Sequence, residues 1–145
     1  MKLLLIISLG LLVGCNVVLD VRKGGVSQTQ SSCTAIENSS TLQEYCSNAA
    51  KLTNPKAQGS GTKDSPYILC SPYQLNVIAD QADLMSAHFQ LNNDLDMSCI
   101  AGNHTKIASS ASVAFEGVFD GNGKKIKNWV YVAATEDNVG VLLKI

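Results

Sequence analysis

The sequence predicts a mainly β chain of stacked strands, with one or two short α-helices on its N-terminal side. Three observations predict it. A Gly-Asn-Gly turn separates two apolar runs, Phe115 to Phe119 and Ile126 to Val132. A third apolar run, Asn138 to Leu143, closes the chain. Ahead of them stands a capped, amphipathic helix opening at Ser71.

The turn is the strongest local signal. Asp120, Gly121, Asn122 and Gly123 combine two glycines with two short polar residues, the types that tolerate positive φ in tight connections. By period 2, Phe115, Gly117 and Phe119 share one face before it. After it, Ile126, Asn128, Val130 and Val132 share one face, and Lys125, Lys127, Trp129 and Tyr131 the other. Gly117 between two same-face phenylalanines marks a bulge or a close backbone approach. A phosphate or calcium loop is the competing reading of the turn, but a turn suffices to explain all four residues.

Upstream, Tyr67 to Cys70 follows Pro66 as a short strand. Ser71 then suits an N-cap, Pro72 the first helical position, and Gln74 a capping box. Leu75, Ile78, Ala79 and Ala82 form one stripe, which predicts a helix to about Asp83 or Leu84. His88 to Leu95 reads as a strand with Phe89 and Leu91 on one face, ended or bulged by Asn92-Asn93-Asp94. Gly102 to Ser112 is a polar loop with Ile107 as an isolated core contact. Closer to the N-terminus, Thr41 to Leu52 is expected as a short helix, capped by Ser40 or Thr41, with Leu42, Tyr45, Cys46 and Ala49 on its apolar face. The polar stretch from Asn16 to about Ser32 reads as a tether.

The first residues read as a processing signal. Lys2 precedes an apolar run from Leu3 to Leu12, too short for the about 20 residues of a membrane-spanning helix. Leu12-Val13-Gly14-Cys15 resembles a bacterial lipobox, which implies lipid attachment at Cys15 and a membrane partner; an ordinary secretory signal is the alternative. The expected organisation is therefore a signal over 1–14, a lipidated cysteine and tether over 15–40, a helical segment and loop over 41–58, and the main domain over 59–145.

Composition narrows the function classes. Eleven basic and twelve acidic residues give a net charge of -1, and the lysines are scattered except beside the turn. No recognised nucleic-acid motif occurs, so no nucleic-acid partner is expected. Setting Cys15 aside leaves Cys33, Cys46, Cys70 and Cys99, an even number that in an exported chain favours two disulfides. Three connectivities are possible; the local pairs Cys33–Cys46 and Cys70–Cys99 are the expectation. Zinc is disfavoured because no Cys-x-x-Cys occurs and His88 and His104 lie far from ligand-spaced cysteines. No metal, cofactor or catalytic residue is expected. Asp94, Asp96, Glu116 and Asp120 are the carboxylates that a polysaccharide-active site would have to bring together. Their plainer role is in turns, with Asp94-x-Asp96 as half of a calcium site in reserve. His88 and His104 are expected at the surface or a strand edge. Trp129 and Tyr131, with Lys127, form either a sugar- or protein-binding strip or part of a buried face.

From Gly59 onward the order of features resembles the entry module of GLUG-motif bacterial surface proteins. The residues that carry the likeness include Tyr67, Leu75, Ile78, Phe89, Leu91, Leu95 and Asp96, then Phe115, Gly117, Phe119, Asp120, Gly121, Asn122, Gly123 and Ile126, and finally Gly140. The resemblance implies a short right-handed parallel β-helix, a solenoid fragment with one repeat of the motif. The last strand departs from the family pattern, reading Gly140-Val141-Leu142-Leu143. With few rungs the edge would stay open, so self-association through it, or a truncated paralogue, is among the expectations. The preferred functional expectation is a lipid-anchored envelope protein with a non-catalytic binding or adhesion module for a surface polysaccharide or protein. The alternative is an N-terminal fragment of a polysaccharide-active β-helix enzyme.

Overall fold

The computed structural model describes residues 28–132 apart from Asp80, Asn103, Thr105 and 108–113, with side chains from Ser32 onward. The processing signal with Cys15, most of the tether, the Ser109–Ser112 stretch and the closing apolar run with Gly140 lie outside the described residues.

Two helices come first, α1 (Gln28–Glu37) and α2 (Leu42–Ala49). Helix α1 thus lies inside the segment expected as tether, with Cys33 and Ile36 buried. Thr41 caps α2 by accepting from the Glu44 amide, and the Glu44 carboxylate in turn accepts from the Ser40 amide and hydroxyl. Of the expected apolar face, Ala49 is buried, while Leu42 is 54% exposed.

Strand β1 (Tyr67–Leu69) leads into α3 (Pro72–Ile78). The capping box at Ser71 and Gln74 is complete, with Pro72 in the first turn, as the sequence predicts. Gln74 is buried and hydrogen-bonded at both its amide oxygen and its amide nitrogen. Its Oε1 accepts from the Cys70 and Ser71 amides, and its Nε2 donates to the Asn54 carbonyl. The predicted extent of the helix is wrong, however. It stops at Ile78, and Ala82–Leu84 forms a separate 3-10 turn. The reason is the burial of Leu84 and Met85. Nine positions beyond Leu75, at about 100° per residue, Leu84 in a continuous helix would face directly away from the stripe. The chain breaks to bring it back.

The remaining strands are β2 (His88–Leu91), β3 (Leu95–Asp96), β4 (Val118–Asp120) and β5 (Ile126–Lys127). They form two parallel sheets, one ordered β1-β2-β4 and one pairing β3 with β5. Register places Tyr67 beside Phe89 and Phe89 beside Phe119. Neighbouring strands about 4.8 Å apart therefore stack their aromatic rings. Phe89 lies 5.8 Å from Tyr67, 6.2 Å from Phe115 and 6.3 Å from Phe119, centroid to centroid.

The expectation of a mainly β chain folded as a β-helix is overturned. Among the described residues there are three α-helices of seven to ten residues, against five strands of only two to four. Neither sheet closes on itself. The protein is a small mixed α/β structure. Period-2 patterning marks the strands correctly but does not measure them. Corners containing Asn, Asp or Gly cut β2, β4 and β5 short, and the capped start of α3 ends β1.

Two apolar clusters result. The larger centres on Leu69, Leu75, Ile78, Phe89, Leu91 and Leu95. The smaller gathers Cys33, Ile36, Ala49, Leu52 and Cys70 under the helices. Strand β1 is their common wall, since Tyr67 and Leu69 face the larger cluster and Ile68 the smaller.

Two disulfides tie the parts together, Cys33–Cys70 and Cys46–Cys99. The expected local pairs, Cys33–Cys46 and Cys70–Cys99, are incorrect. Each bond instead fastens one N-terminal helix to the body, α1 to the end of β1 and α2 to the turn after β3. The two helices pack against each other, and with so little apolar surface of their own the pair is fastened to the body by the disulfides.

Candidate functional site

An open cleft of about 590 Å3 lies between the α1–α2 junction and the β3–β5 face. Its polar wall is built at two corners. The first is Asn92-Asn93-Asp94, between β2 and β3. The Asn93 side chain is buried and donates to the Cys33 carbonyl, so the corner is stitched to α1. Asp94 then accepts from the Lys125 amide at 3.0 Å and the Lys127 ammonium at 2.8 Å. The second corner is the predicted turn from Asp120 to Gly123. Asn122 and Gly123 both have positive φ, and the Lys124 amide donates to the Gly121 carbonyl, which defines a type I′ turn. Asp120 accepts from the Asn122 amide, and the Asn122 side chain donates to the Leu91 carbonyl. The turn joins strands of different sheets, and it delivers Lys124 and Lys127 to the cleft.

The opposite wall comes from the helices. Tyr45 of α2 reaches across, donating its hydroxyl to the Asp94 carbonyl and accepting from the Asp96 amide at 2.9 Å. Burial raises the Tyr45 phenol above its usual range, with Asp96 and Asp94 adding to the rise, so it stays neutral. Glu37 stands 3.9 Å from Lys124, and Leu42 is exposed at the rim.

Of the candidate carboxylates, Asp94 and Asp96 line the cleft and Asp120 does not, and each of the three has a structural task. The Lys127 ammonium, helped by the Lys125 amide, holds Asp94 below the usual carboxylate range. Burial alone would raise Asp96, but hydrogen bonds from Ser98 and Asn128 outweigh it and the net direction is down. Gln90 and the Asn122 amide lower Asp120. All three are ionised acceptors at neutral pH, whereas a general acid needs a raised pKa. Among the described residues no group of three or more His, Cys, Asp or Glu is placed to hold a metal ion.

The remaining singled-out residues fall elsewhere. The close approach predicted at Gly117 is present: its amide and that of Glu116 both donate to the Met85 carbonyl, and a Cβ there would collide with the Ala87 carbonyl oxygen. His104 is not a surface residue but 2% exposed. Its Nδ1 accepts from the Val130 amide at 2.7 Å, and its Nε2 faces the Met97 carbonyl at 2.9 Å, which fixes the neutral Nε2–H tautomer. The alternation read beyond Ile126 is also wrong. Asn128 takes φ 56, a left-handed residue that shifts the phase by one position. Trp129 therefore turns inward against the larger cluster, and Val130 and Val132 point out. Trp129 and Tyr131 stack at 5.9 Å, and the Lys106 ammonium sits 4.8 Å above the Tyr131 ring. Lys127 does not join them. Period 2 carries no sign of such a shift, although an Asn after a run of lysines is a residue type that tolerates it.

No family model matches the chain, and no solved structure matches it. Among curated proteins it is similar to halomucin of Haloquadratum walsbyi, with 36% identity over 93 residues. The match covers 60% of this chain, and the chain spans about 1% of halomucin's length.

Proposed function

We propose that this chain is a lipid-anchored protein of the bacterial cell envelope, whose folded part is a non-catalytic binding module with the cleft as its site. The observation that carries this reading is the pair of disulfides behind a lipobox-like signal. Disulfides persist in oxidising, exported compartments, and both bonds here secure the helices that form one wall of the cleft. The similarity to halomucin is compatible with an envelope location, and the resemblance to GLUG-motif surface proteins supports the same class. Acyl chains on Cys15 would contribute about 0.8 kcal/mol per buried methylene, so two or more anchor stably where one is marginal. Asp94, Asp96 and Asp120 are each ionised acceptors held by structural hydrogen bonds, which supports binding over catalysis.

Cys15→Ser tests the anchor. The variant is expected in the soluble fraction, without the lipid mass carried by the parent protein. Unchanged membrane fractionation, with no lipid mass on the parent, would overturn the reading.

A further inference from the structure

We propose that the cleft binds a neutral, hydroxyl-rich glycan, with Asp94 and Lys127 as a paired acceptor and donor for neighbouring sugar hydroxyls and Leu42 as the contact for the ring's C–H face. The proposal rests on the binding-module reading and adds the chemical class of the ligand.

A sugar hydroxyl donates and accepts at once, so a site for it needs both functions side by side. Lys127 and Asp94 supply that pair, 2.8 Å apart on the polar wall, with side chains 50% and 43% exposed. An ammonium has three donors and a carboxylate about four acceptor positions, so the ion pair leaves capacity on both partners. Lys124 and Glu37 repeat the arrangement more loosely, at 3.9 Å across the cleft.

Leu42 supplies the second requirement. It belongs to the apolar stripe of α2, yet it is absent from both buried clusters and stands open at the cleft rim beside the Ser40 and Thr41 hydroxyls. A pyranose ring presents this combination in reverse, with an apolar face edged by hydroxyls. The balance of charge selects within the class. Each of the two lysines in the cleft is matched by a carboxylate, so an acidic polymer would meet a like charge beside every cation. Size points away from a protein partner. A volume near 590 Å3 is that of a small-ligand recess, whereas a standard protein interface needs about 800 Å2 from each side.

The test is titration calorimetry of the full-length lipoprotein in detergent against neutral gluco-, manno- and galacto-oligosaccharides, with oligogalacturonate as the acidic counterpart. A neutral oligosaccharide is expected to bind. Lys127→Ala and Leu42→Ser are each expected to weaken it at least about tenfold. Leu42→Ser should leave the melting temperature unchanged, and Lys127→Ala should lower it only by the loss of one exposed ion pair, so neither variant loses the fold. Added salt should change the affinity by no more than about twofold. Binding of oligogalacturonate alone, a steep loss with salt, indifference to both substitutions, or no binding by any of these sugars would overturn the proposal. Each of those results leaves the Cys15→Ser fractionation as it was, so failure of the ligand assignment is distinct from failure of the envelope reading.

Discussion

The helical region before β1 and the stranded region after it are stabilised by different means. The strands own a continuous apolar cluster, with Phe89 at the centre of a stack of rings in register. The helices share a smaller cluster of five buried residues, two of which, Cys33 and Cys70, are bonded to each other across the seam between α1 and the end of β1. Burial organises one region, and covalent attachment to it organises the other. This difference explains why the cleft lies where it does. It is the seam between a body that packs itself and a pair of helices strapped against it.

The largest expected effect tests the straps. On the loop-entropy account, disulfides closing separations of 37 and 53 residues contribute about 4 kcal/mol each, not additively because the loops overlap. Reducing both should release α1 and α2 while β1, β2 and β4 keep their amide protection. Hydrogen exchange read by mass spectrometry checks this. Simultaneous loss of protection across residues 28–52 and 67–120 would break the comparison. Next comes Phe89→Ala, which empties the middle of the ring stack and should cost about 3–5 kcal/mol by denaturant titration. Its effect should reach both regions, since the helices depend on the body. Gly117→Ala should cost about 1–3 kcal/mol, because the added methyl meets the Ala87 carbonyl and β4 must move off β2. A neutral outcome would show that β4 is looser than its register implies.

The smallest effect concerns pH. The Asp94 carboxyl is lowered in the folded protein by Lys127. Its contribution is therefore complete above the unfolded carboxyl value and is lost as pH falls through the lower folded value. With the side chain 43% exposed, it is worth at most about 1 kcal/mol. Asp94→Asn should lose that contribution, up to about 1 kcal/mol, at neutrality and converge with the parent below about pH 4, so its acid limb is flatter. An unchanged acid limb in this variant would remove Asp94 from the seam's energetics.

Features set by neighbouring residues were legible in the sequence. The Ser71-Pro72-Gln74 cap, the buried faces of Phe89 and Leu91, the close approach at Gly117 and the turn at Asn122-Gly123 each follow from chemistry within a few positions. Features set by distant partners were not. Nothing near Cys33 tells it to choose Cys70 over Cys46, because the choice is made when α1 lies against β1. The end of α3 is set by a demand on Leu84 from the core, and His104 is buried by the Met97 carbonyl and the Val130 amide, which meet it only in the folded chain. The cleft shares this character. In the sequence Lys124 and Lys127 are only lysines beside the turn, until Glu37 and Asp94 are placed opposite them. The mainly β expectation failed for a related reason, since alternation around each corner was counted as strand where the backbone was already turning.

The disulfide loops interlock: Cys46 lies inside the stretch closed by Cys33 and Cys70, while Cys99 lies beyond it. A chain that enters an oxidising compartment from its N-terminus presents Cys33 and Cys46 together, before either native partner has arrived. An oxidant that joins thiols in order of appearance makes the wrong bond first. Correct maturation then depends on exchange, a thiolate attacking that early bond so that Cys33 can wait for Cys70 and Cys46 for Cys99. If the chain is exported, the order of its four cysteines is expected to make it a client for disulfide isomerisation.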